Sequence, residues 1–399
     1  MSNAHFITRV QIQNYKSIKA CKVQLGPLAI LVGPNGSGKS NFVDALRFTA
    51  EALSSTLDHA LRERGGINEV RRRSGGHPNH FAVRLDFNLP TGATGSYAFK
   101  VGALPSGGFH VTDEEAVVHP GPALGEPSRF RIQRGVLETN LAERLPMVAE
   151  DRLYLVSASS IEQFRPVYEA LTAMGFYNLS PAAIRQPQLP DPGALLRRDG
   201  SNLASVLGRL EQADPDMLVR VVDYLRRISR GVEGVSKVPV GPMETIEFRQ
   251  KVAGQERPWR FAAINMSDGT LRGLGVLVAL LQTNGQGPSL VGIEEPEVAL
   301  HPAAVGILID AIKDAATHTQ LLVTSHSPDL LDRQDLDPSE ILAVTSHDGN
   351  TIIGPMDQHG RDVLREHLFT AGELLRMNQL EPDLAADGVQ GLQLKLFDR

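Results

Sequence analysis

The chain has 399 residues, of which 42% are hydrophobic, and its 40 basic and 46 acidic residues give a formal net charge of −6. This is the composition of a globular protein, and the single cysteine, Cys21, excludes an intramolecular disulfide framework and a cysteine-cluster metal site. No apolar run approaches the roughly 18 residues of a membrane span and the first residues lack a signal-peptide core, so a cytoplasmic protein without membrane contact is expected.

The first strong pattern is a short apolar strand that leads into a glycine-rich turn and then into a helix. Residues 28–33 (LAILVG) are predicted to form a buried strand, and residues 39–55 an amphipathic helix. The turn between them reads G-x4-G-K-S, and its glycines let backbone N–H groups close around phosphate oxygens. Lys39 is expected to reach the β- and γ-phosphates of ATP, and the Ser40 hydroxyl to bind Mg²⁺. The predicted nucleotide-binding residues of this P-loop are Gly33, Pro34, Asn35, Gly36, Ser37, Gly38, Lys39, Ser40 and Asn41.

The middle of the chain changes from hairpins to helices and back again. Residues 81–137 alternate between apolar and polar positions and are interrupted by Gly/Pro-rich turns, which predicts antiparallel hairpins. From about residue 160 to 232 the pattern is helical, and Asp214 with Pro215 is typical of an N-cap followed by a first-turn proline. Residues 245–265 return to hairpin-like alternation.

A small-residue turn precedes the next apolar helix, LGVLVALL. Ser267 has the character of an N-cap, and such a turn at a helix start can bind an anion. A plain capped core helix explains this turn equally well on its own. The anion-binding interpretation of Ser267, Asp268 and Gly269 therefore depends on the motifs around it.

Two adjacent carboxylates end the apolar strand that follows, in residues 289–302 (SLVGIEEPEVALHP). Because neighbouring strand residues face opposite ways, Glu294 could point toward Mg²⁺ while Glu295 orients the attacking water. A solvated pair of glutamates at a strand end is the simpler alternative. The P-loop upstream favours the catalytic interpretation.

Another apolar strand, QLLVTSH, ends at His326, and a third run, EILAVTS, follows it. Helix-length spacers predict that these are parallel strands, with the histidine strand beside the carboxylate strand. An imidazole there can hydrogen-bond the γ-phosphate or the attacking water. A structural histidine is the alternative. Residues 361–378 are predicted to form a final helix.

The order of these motifs resembles an ABC-type ATPase. GPNGSGKSN is similar to its Walker A motif, MSDGT to its signature, IEEPE to its Walker B motif and TSHSP to its switch region. The opening VQIQNYKSIKA resembles the first strand of the SMC and RecF heads. EEPEVALHP and SDGTLR are most similar to compact OLD-like (overcoming-lysogenization-defect) ATPases of bacteria. The resemblance extends over nearly the whole chain and is weakest between about residues 60 and 240.

The resemblance implies an α/β fold: an ABC-ATPase-like head with a mixed sheet, an antiparallel β subdomain and a helical lobe. Two protomers would sandwich ATP and Mg²⁺, with Ser267, Asp268 and Gly269 of one protomer completing the nucleotide site of the other. The domain organisation that it predicts is one head over residues 1–399, comprising an N-terminal P-loop and hairpin lobe (1–150), a helical insertion (151–240), a signature, Walker B and switch lobe (241–350), and a C-terminal helix and tail (351–399).

Some positions depart from the family pattern or stay open. Glu294 stands where the magnesium-side acid is usually aspartate. The Q-loop glutamine is unassigned, with Gln186 and Gln188 as weak candidates, and the resemblance alone suggests Tyr15 and Lys16 for adenine contact. These positions leave the base-binding side of the site undefined.

The leading functional hypothesis is a homodimeric ATPase that regulates a separately encoded effector, a nuclease or toxin, in bacterial phage defence. The sequence after His326 is too short for the Toprim domain of OLD nucleases, so no nuclease activity is expected. A RecF-like DNA-repair clamp is the alternative, and a non-hydrolysing switch is a third that Glu295 argues against. DNA binding would depend on clusters for which solvated surface is the simpler interpretation. The clusters are Arg62, Arg64, Arg71, Arg72 and Arg73; Arg197 and Arg198; and Arg226, Arg227 and Arg230.

Overall fold

The fold is known from a computed structural model that describes residues 5–74, 78–121, 125–142, 146–282, 287–333, 336–384 and 396–397. The strands are β1 (Ile7–Tyr15), β2 (Ile18–Gln24), β3 (Leu28–Val32), β4 (His80–Asn88), β5 (Thr94–Ala103), β6 (Phe109–His119), β7 (Ser128–Gln133), β8 (Val136–Thr139), β9 (Gly175–Tyr177), β10 (Val232–Val240), β11 (Met243–Gln250), β12 (Trp259–Ala262), β13 (Leu290–Glu294), β14 (Gln320–Ser325), β15 (Ile341–His347) and β16 (Asn350–Pro355).

The helices alternate with these strands. They are α1 (Lys39–Ser54), α2 (Leu57–Arg62), α3 (Ile67–Val70), α4 (Leu155–Ala158), α5 (Arg165–Thr172), α6 (Pro181–Arg185), α7 (Leu203–Ala213), α8 (Pro215–Ile228), α9 (Asp268–Leu281), α10 (Pro302–Ala316), α11 (Pro328–Leu331), α12 (Gln358–Arg365) and α13 (Ala371–Arg376). Among the helices of the described ranges, none has the length and apolar character that a membrane crossing needs.

The chain folds as two compact units. Unit 1 contains the described residues of Met1–Met174, Asp335–Phe369 and Leu374–Arg399, and unit 2 those of Gly175–Gln334 and Thr370–Glu373. Both combine helices with sheets, as the predicted α/β class requires.

Unit 1 is built around a seven-stranded antiparallel sheet in the order β2-β1-β4-β5-β6-β7-β8. Alternation along β4 sends Phe81 and Phe87 to the buried face. The P-loop helix α1 packs there: the rings of Phe48 and Phe81 lie edge to face with centroids 5.3 Å apart. The hairpins predicted for residues 81–137 are therefore confirmed, and they support the helix that follows the P-loop.

Unit 1 also holds the strand that leads into the P-loop. Every residue of β3 is buried, as expected for an apolar strand covered on both faces. β15 runs parallel to β3, and β16 pairs antiparallel with β15. The strand, the turn and α1 therefore follow one another as the sequence predicts.

Unit 2 places the carboxylate strand between two parallel neighbours. β13 pairs with β9 on one side and β14 on the other, in a register that sets Glu294 opposite Thr324. Helix α10 connects β13 to β14, so the predicted parallel pair with a helical crossover is confirmed. A separate antiparallel sheet in the order β10-β11-β12 contains the strands predicted for residues 245–265.

Local predictions held where side chains govern the helix ends and failed where a turn interrupts the pattern. The Asp214 side chain accepts a hydrogen bond from the Met217 N–H and caps α8, as predicted. The single helix predicted for residues 361–378 is wrong. It is two helices, α12 and α13, because His367 between them has a left-handed φ of 54° that an α-helix cannot contain. The predicted helical region 160–232 also contains the short strand β9.

Candidate functional site

The P-loop has its two left-handed positions at glycines. Gly36 has φ 77° and Gly38 has φ 104°, and Gly38 is the N-cap residue of α1. A Cβ at Gly38 would lie 1.9 Å from the Thr351 Oγ1 atom, so only glycine fits there. With no capping side chain, the first turn of α1 is a backbone N–H cradle of the kind that binds phosphate. The geometry of this loop fits the phosphates of ATP.

A chain of hydrogen bonds fastens the P-loop to β16. The Asn41 amide donates to the Ser17 hydroxyl over 2.6 Å, and that hydroxyl lies 2.7 Å from the Thr351 Oγ1 atom. Thr351 in turn donates to the Ser37 carbonyl over 2.9 Å. Asn41 was predicted to bind nucleotide; in the structure its amide takes part in this chain of hydrogen bonds. Sequence reasoning missed Thr351 because no motif contains it.

Lys39 and Ser40 occupy contrasting positions at the end of this loop. The Lys39 side chain is buried, and its ammonium donates to the carbonyls of Gly33 at 2.7 Å and Pro34 at 3.0 Å. Ser40 is exposed at the first turn of α1. An ammonium inside the loop and a hydroxyl at its rim suit a phosphate group and a phosphate-bound cation.

The two carboxylates of unit 2 diverge because of a backbone turn. β13 ends at Glu294, and Glu295 already has a left-handed φ of 46°. The Glu295 N–H donates to the Thr324 carbonyl over 3.0 Å, with the Thr324 hydroxyl 3.2 Å away. We expected strand alternation to direct these two carboxylates apart. That reason is wrong, because Glu295 lies beyond the strand in a left-handed turn. A non-glycine residue in the left-handed region is strained by about 1–2 kcal/mol, and such strain is concentrated at functional sites.

His326 follows β14 and meets the second carboxylate. Its Nδ1 atom lies 3.0 Å from the Glu295 Oε1 atom, and each side chain is 36% exposed. Behind them Thr324 and Ser325 are almost fully buried. The parallel pairing of β13 and β14 thus brings together the two predicted catalytic residues, whose side chains are both partly exposed.

Arg272, a buried residue of α9, ties this turn to the signature helix. Its guanidinium donates to the carbonyls of Leu179 at 2.6 Å, Glu295 at 3.0 Å and Glu294 at 3.3 Å. Burial lowers the pKa of Arg272, and the neighbouring Glu297 and Glu295 carboxylates oppose that shift. The position was visible in the SDGTLR motif, but its contacts were not predictable.

Glu294, the predicted magnesium ligand, pairs with an arginine. The Arg198 Nη2 atom lies 3.2 Å from the Glu294 Oε1 atom. No group of three or more potential metal ligands occurs among the described residues. Mg²⁺ commonly binds one or two protein oxygens and completes its shell with phosphate and water, so Glu294 and the Ser40 hydroxyl are donors of the right chemistry for this ion.

The signature turn has the predicted cap and an exposed outer side. The Ser267 hydroxyl accepts from the Thr270 N–H at 3.2 Å, and Asp268 pairs with Arg185 at 2.5 Å. A Cβ at Gly269 would lie 2.5 Å from the Ala299 carbonyl oxygen, which requires glycine there. Ser267 and Asp268 are both exposed. The turn thus faces outward from its own unit.

Other candidates are engaged elsewhere. Tyr15 is fully buried and its hydroxyl donates to the Asp44 carboxylate over 2.8 Å, so its ring cannot stack on adenine. Lys16 lies 2.6 Å from the same carboxylate. Gln188 is buried and pairs with Glu244 in an antiparallel bridge through two backbone hydrogen bonds.

Comparison with known proteins gives three kinds of match. The family described as "AAA domain, putative AbiEii toxin, Type IV TA system" matches residues 28–332. The chain is 32% identical over 99 residues to the chromosome partition protein Smc of Methanocaldococcus jannaschii, covering 25% of this chain and 8% of that protein. It is 22% identical over 343 residues to the OLD nuclease of Thermus scotoductus, covering 81% of this chain and 59% of that protein. The chain therefore spans less than two thirds of each of these relatives.

Solved structures show the same fold. An Smc head bound to the C-terminal winged-helix domain of ScpA superposes with a TM-score of 0.56 at 14% identity, covering 87% of this chain and 96% of that one. A Pyrococcus furiosus Smc head with an extended coiled coil, bound to the C-terminal domain of ScpA, gives a TM-score of 0.54 at 13% identity, covering 91% and 99%. At these identities the likeness concerns the fold alone.

Proposed function

Because the chain belongs to this AAA-domain family and is an ATP-hydrolysing P-loop protein of the ABC type, we propose that it acts as a Mg²⁺-dependent homodimer that regulates a separate effector. The observation that carries the hydrolytic part is the approach of His326 Nδ1 to Glu295 Oε1 at 3.0 Å, at the ends of two parallel strands. A carboxylate and an imidazole so placed can orient a water and accept its proton.

Each residue has a distinct part in the proposed reaction. Lys39 binds the β- and γ-phosphates, and the Ser40 hydroxyl and Glu294 hold Mg²⁺, which when bound offsets phosphate charge. Glu295 orients the attacking water, and His326 hydrogen-bonds that water or the γ-phosphate. Except at Pro34, which has no N–H, the remaining P-loop residues surround the phosphates with backbone N–H groups.

The exposed signature turn supports the proposed homodimer. Ser267, Asp268 and Gly269 lie at the start of α9, and the first two are exposed. A capped helix N-terminus that faces outward is suited to the nucleotide of a second protomer. ATP would then favour the closed dimer through contacts that ADP cannot make, and hydrolysis would release it.

The proteins to which this chain is similar support the regulation of an effector. The matched family is described by a toxin of a toxin–antitoxin system, and one relative is an OLD nuclease. The similar Smc heads are bound to domains of a separate protein, ScpA. We therefore favour an ATPase that controls a nuclease or toxin in bacterial phage defence, working in the cytoplasm.

The alternative of a RecF-like clamp on DNA has less support, because carboxylates neutralise much of each basic cluster. The pairs include Arg62 with Asp58, Arg73 with Glu69, Arg197 with Asp191, Arg226 with Asp223 and Arg227 with Asp310. A duplex-DNA affinity that falls steeply with salt concentration would favour the clamp.

Mixing two inactive variants tests the composite site. Ser267→Arg crowds the signature turn, and Lys39→Ala disables the P-loop, so neither protein alone should hydrolyse ATP. In a mixed dimer, the intact P-loop of the first variant meets the intact signature of the second, and one working site per heterodimer should return. If heterodimers form but stay inactive, or if Ser267→Arg is fully active alone, the shared site is wrong.

A further inference from the structure

A third glutamate lies behind the proposed catalytic pair. Glu297, two residues after Glu295, is only 6% exposed. Its Oε1 atom accepts a hydrogen bond from the Ser325 hydroxyl at 2.5 Å, and its Oε2 atom is buried with no hydrogen-bond partner among the described residues. A carboxylate is rarely buried without an ion pair or several hydrogen bonds, because burial disfavours its charge. The burial of this carboxylate therefore indicates that the Glu297 side chain has a specific role in the turn.

The hydroxyl that Glu297 engages controls the backbone around His326. Ser325 is fully buried at the end of β14, and besides donating to Glu297 it accepts from the Ser327 N–H at 3.1 Å. The two backbone neighbours of His326 are thereby joined through one side-chain oxygen. Because the Ser325 proton is directed at Glu297, its lone pairs are left to face the Ser327 N–H.

The surroundings of Glu297 act on its charge in opposite directions. Burial raises the pKa of the Glu297 carboxyl, while the Ser325 hydrogen bond and the nearby His326 lower it. Arg272, whose Nε atom is likewise buried without a hydrogen-bond partner in the described part of the chain, attracts the carboxylate from the side of α9. Glu297 accepts the Ser325 hydrogen bond in its ionised and its protonated form, so the tie does not depend on the charge.

We propose that Glu297 is a positioning residue for ATP hydrolysis: by orienting the Ser325 hydroxyl it fixes the turn that carries His326 and so holds the imidazole beside Glu295. This inference rests on the proposed role of His326. Glu297 would act only through Ser325 and His326, without touching nucleotide or water. It links the segment after the Walker B strand to the segment after the neighbouring strand, which makes the catalytic carboxylate and imidazole one rigid element.

The test is a double-mutant cycle on the purified full chain. Glu297→Leu removes the acceptor, Ser325→Ala removes the donor, and Glu297→Gln keeps an acceptor of the same shape. We expect each of the first two to lower kcat by about 10-fold, and the double variant to be no slower than either, because both changes break one link. The affinity for a fluorescent ATP analogue should stay within about twofold, since Glu297 makes no ground-state contact with nucleotide. Glu297→Gln should retain most of the wild-type kcat.

Three outcomes would overturn the inference. The first is that the losses from Glu297→Leu and Ser325→Ala multiply; the second is that ATP affinity falls while kcat holds; the third is that Glu297→Gln is as slow as Glu297→Leu. A His326→Ala arm separates this idea from the proposed function. If His326→Ala hydrolyses ATP at the normal rate, the proposed role of His326 is wrong. If His326→Ala is slow while Glu297→Leu and Ser325→Ala are not, only the positioning role is wrong. If Glu297→Leu does not fold, Ser325→Ala is the test: a lower kcat supports the positioning role, and an unchanged kcat overturns it.

Discussion

The P-loop in unit 1 and the acid turn in unit 2, residues 294–297, are proposed for ATP binding and for hydrolysis respectively, and they are built by different physical means. In the P-loop, the left-handed positions fall on Gly36 and Gly38, and the groups aimed at phosphate are backbone N–H groups. In the acid turn, the left-handed position falls on Glu295, which carries a side chain and the strain that goes with it. In the proposed mechanism, binding depends on relaxed backbone, and the chemistry depends on side chains held in a strained turn.

Lys39→Ala should cause the largest loss of ATP binding. The Lys39 ammonium is buried in the loop, so its loss removes both the charge that meets the phosphates and two hydrogen bonds to loop carbonyls. We expect ATP binding to fall below detection, a loss of about a thousandfold or more for a buried charge contact. Equilibrium binding of a fluorescent ATP analogue measures it. A variant with near-normal affinity would mean that the loop does not bind phosphate as proposed.

Glu295→Gln should slow ATP hydrolysis and leave ATP binding intact. The amide keeps the shape of the side chain and loses the ability to accept a proton from water. We expect kcat to fall by roughly two orders of magnitude or more, the scale of a lost general base, with ATP retained on the protein. Single-turnover hydrolysis together with nucleotide retention on a desalting column gives both values.

The matched control is the same change one residue earlier. Glu294→Gln should weaken the Mg²⁺ dependence of ATP binding and have a smaller effect on kcat at saturating Mg²⁺. If the two variants exchange phenotypes, the roles of Glu294 and Glu295 are reversed.

The two glycines of the P-loop should differ when each is changed to alanine. Both substitutions place a side chain at positive φ, but only Gly38→Ala also meets an obstacle, the Thr351 Oγ1 atom at 1.9 Å; nothing lies within 4 Å of a Cβ at Gly36. We therefore expect Gly38→Ala to lower ATP affinity about tenfold more than Gly36→Ala, beyond the ~1 kcal/mol that positive φ costs each. Thermal unfolding of both variants is the control. Equal effects would show that the Thr351 tie does not shape the loop.

The sequence predicted the parts of the site that are local along the chain. The P-loop is one continuous segment, and the parallel pairing of β13 with β14 follows from two apolar runs and a helix-length spacer. Contacts between distant positions were beyond it: Thr351 and Ser37 are 314 residues apart, and Arg198 and Glu294 are 96 apart. Hydrophobic periodicity indicates which face of a helix or strand is buried. It carries no information on which polar side chains of different elements contact each other.

The same limit explains the wrong expectations. Strand alternation was the local rule available for Glu294 and Glu295, and it gave no sign of the left-handed turn that the Thr324 carbonyl and hydroxyl stabilise. Tyr15 was proposed for adenine from resemblance, but the hydrophobic sheet and Asp44 bury it. Sites of strain and buried charge are where local sequence rules are expected to fail.

The smallest effect should come from Arg198→Ala, because its pair with Glu294 is partly exposed. The Arg198 side chain is 46% exposed, and exposed ion pairs contribute about 0.2–1 kcal/mol. If Glu294 must leave this arginine to bind Mg²⁺, removing Arg198 should lower the Mg²⁺ concentration for half-maximal ATPase activity by a factor between about 1.4 and about 5, which is that energy range expressed as a ratio. Arg197→Ala is the control, since its partner is Asp191 at 2.7 Å and its loss should leave Mg²⁺ dependence unchanged. A higher Mg²⁺ requirement in Arg198→Ala, or a collapse of kcat, would instead make Arg198 a phosphate-binding group.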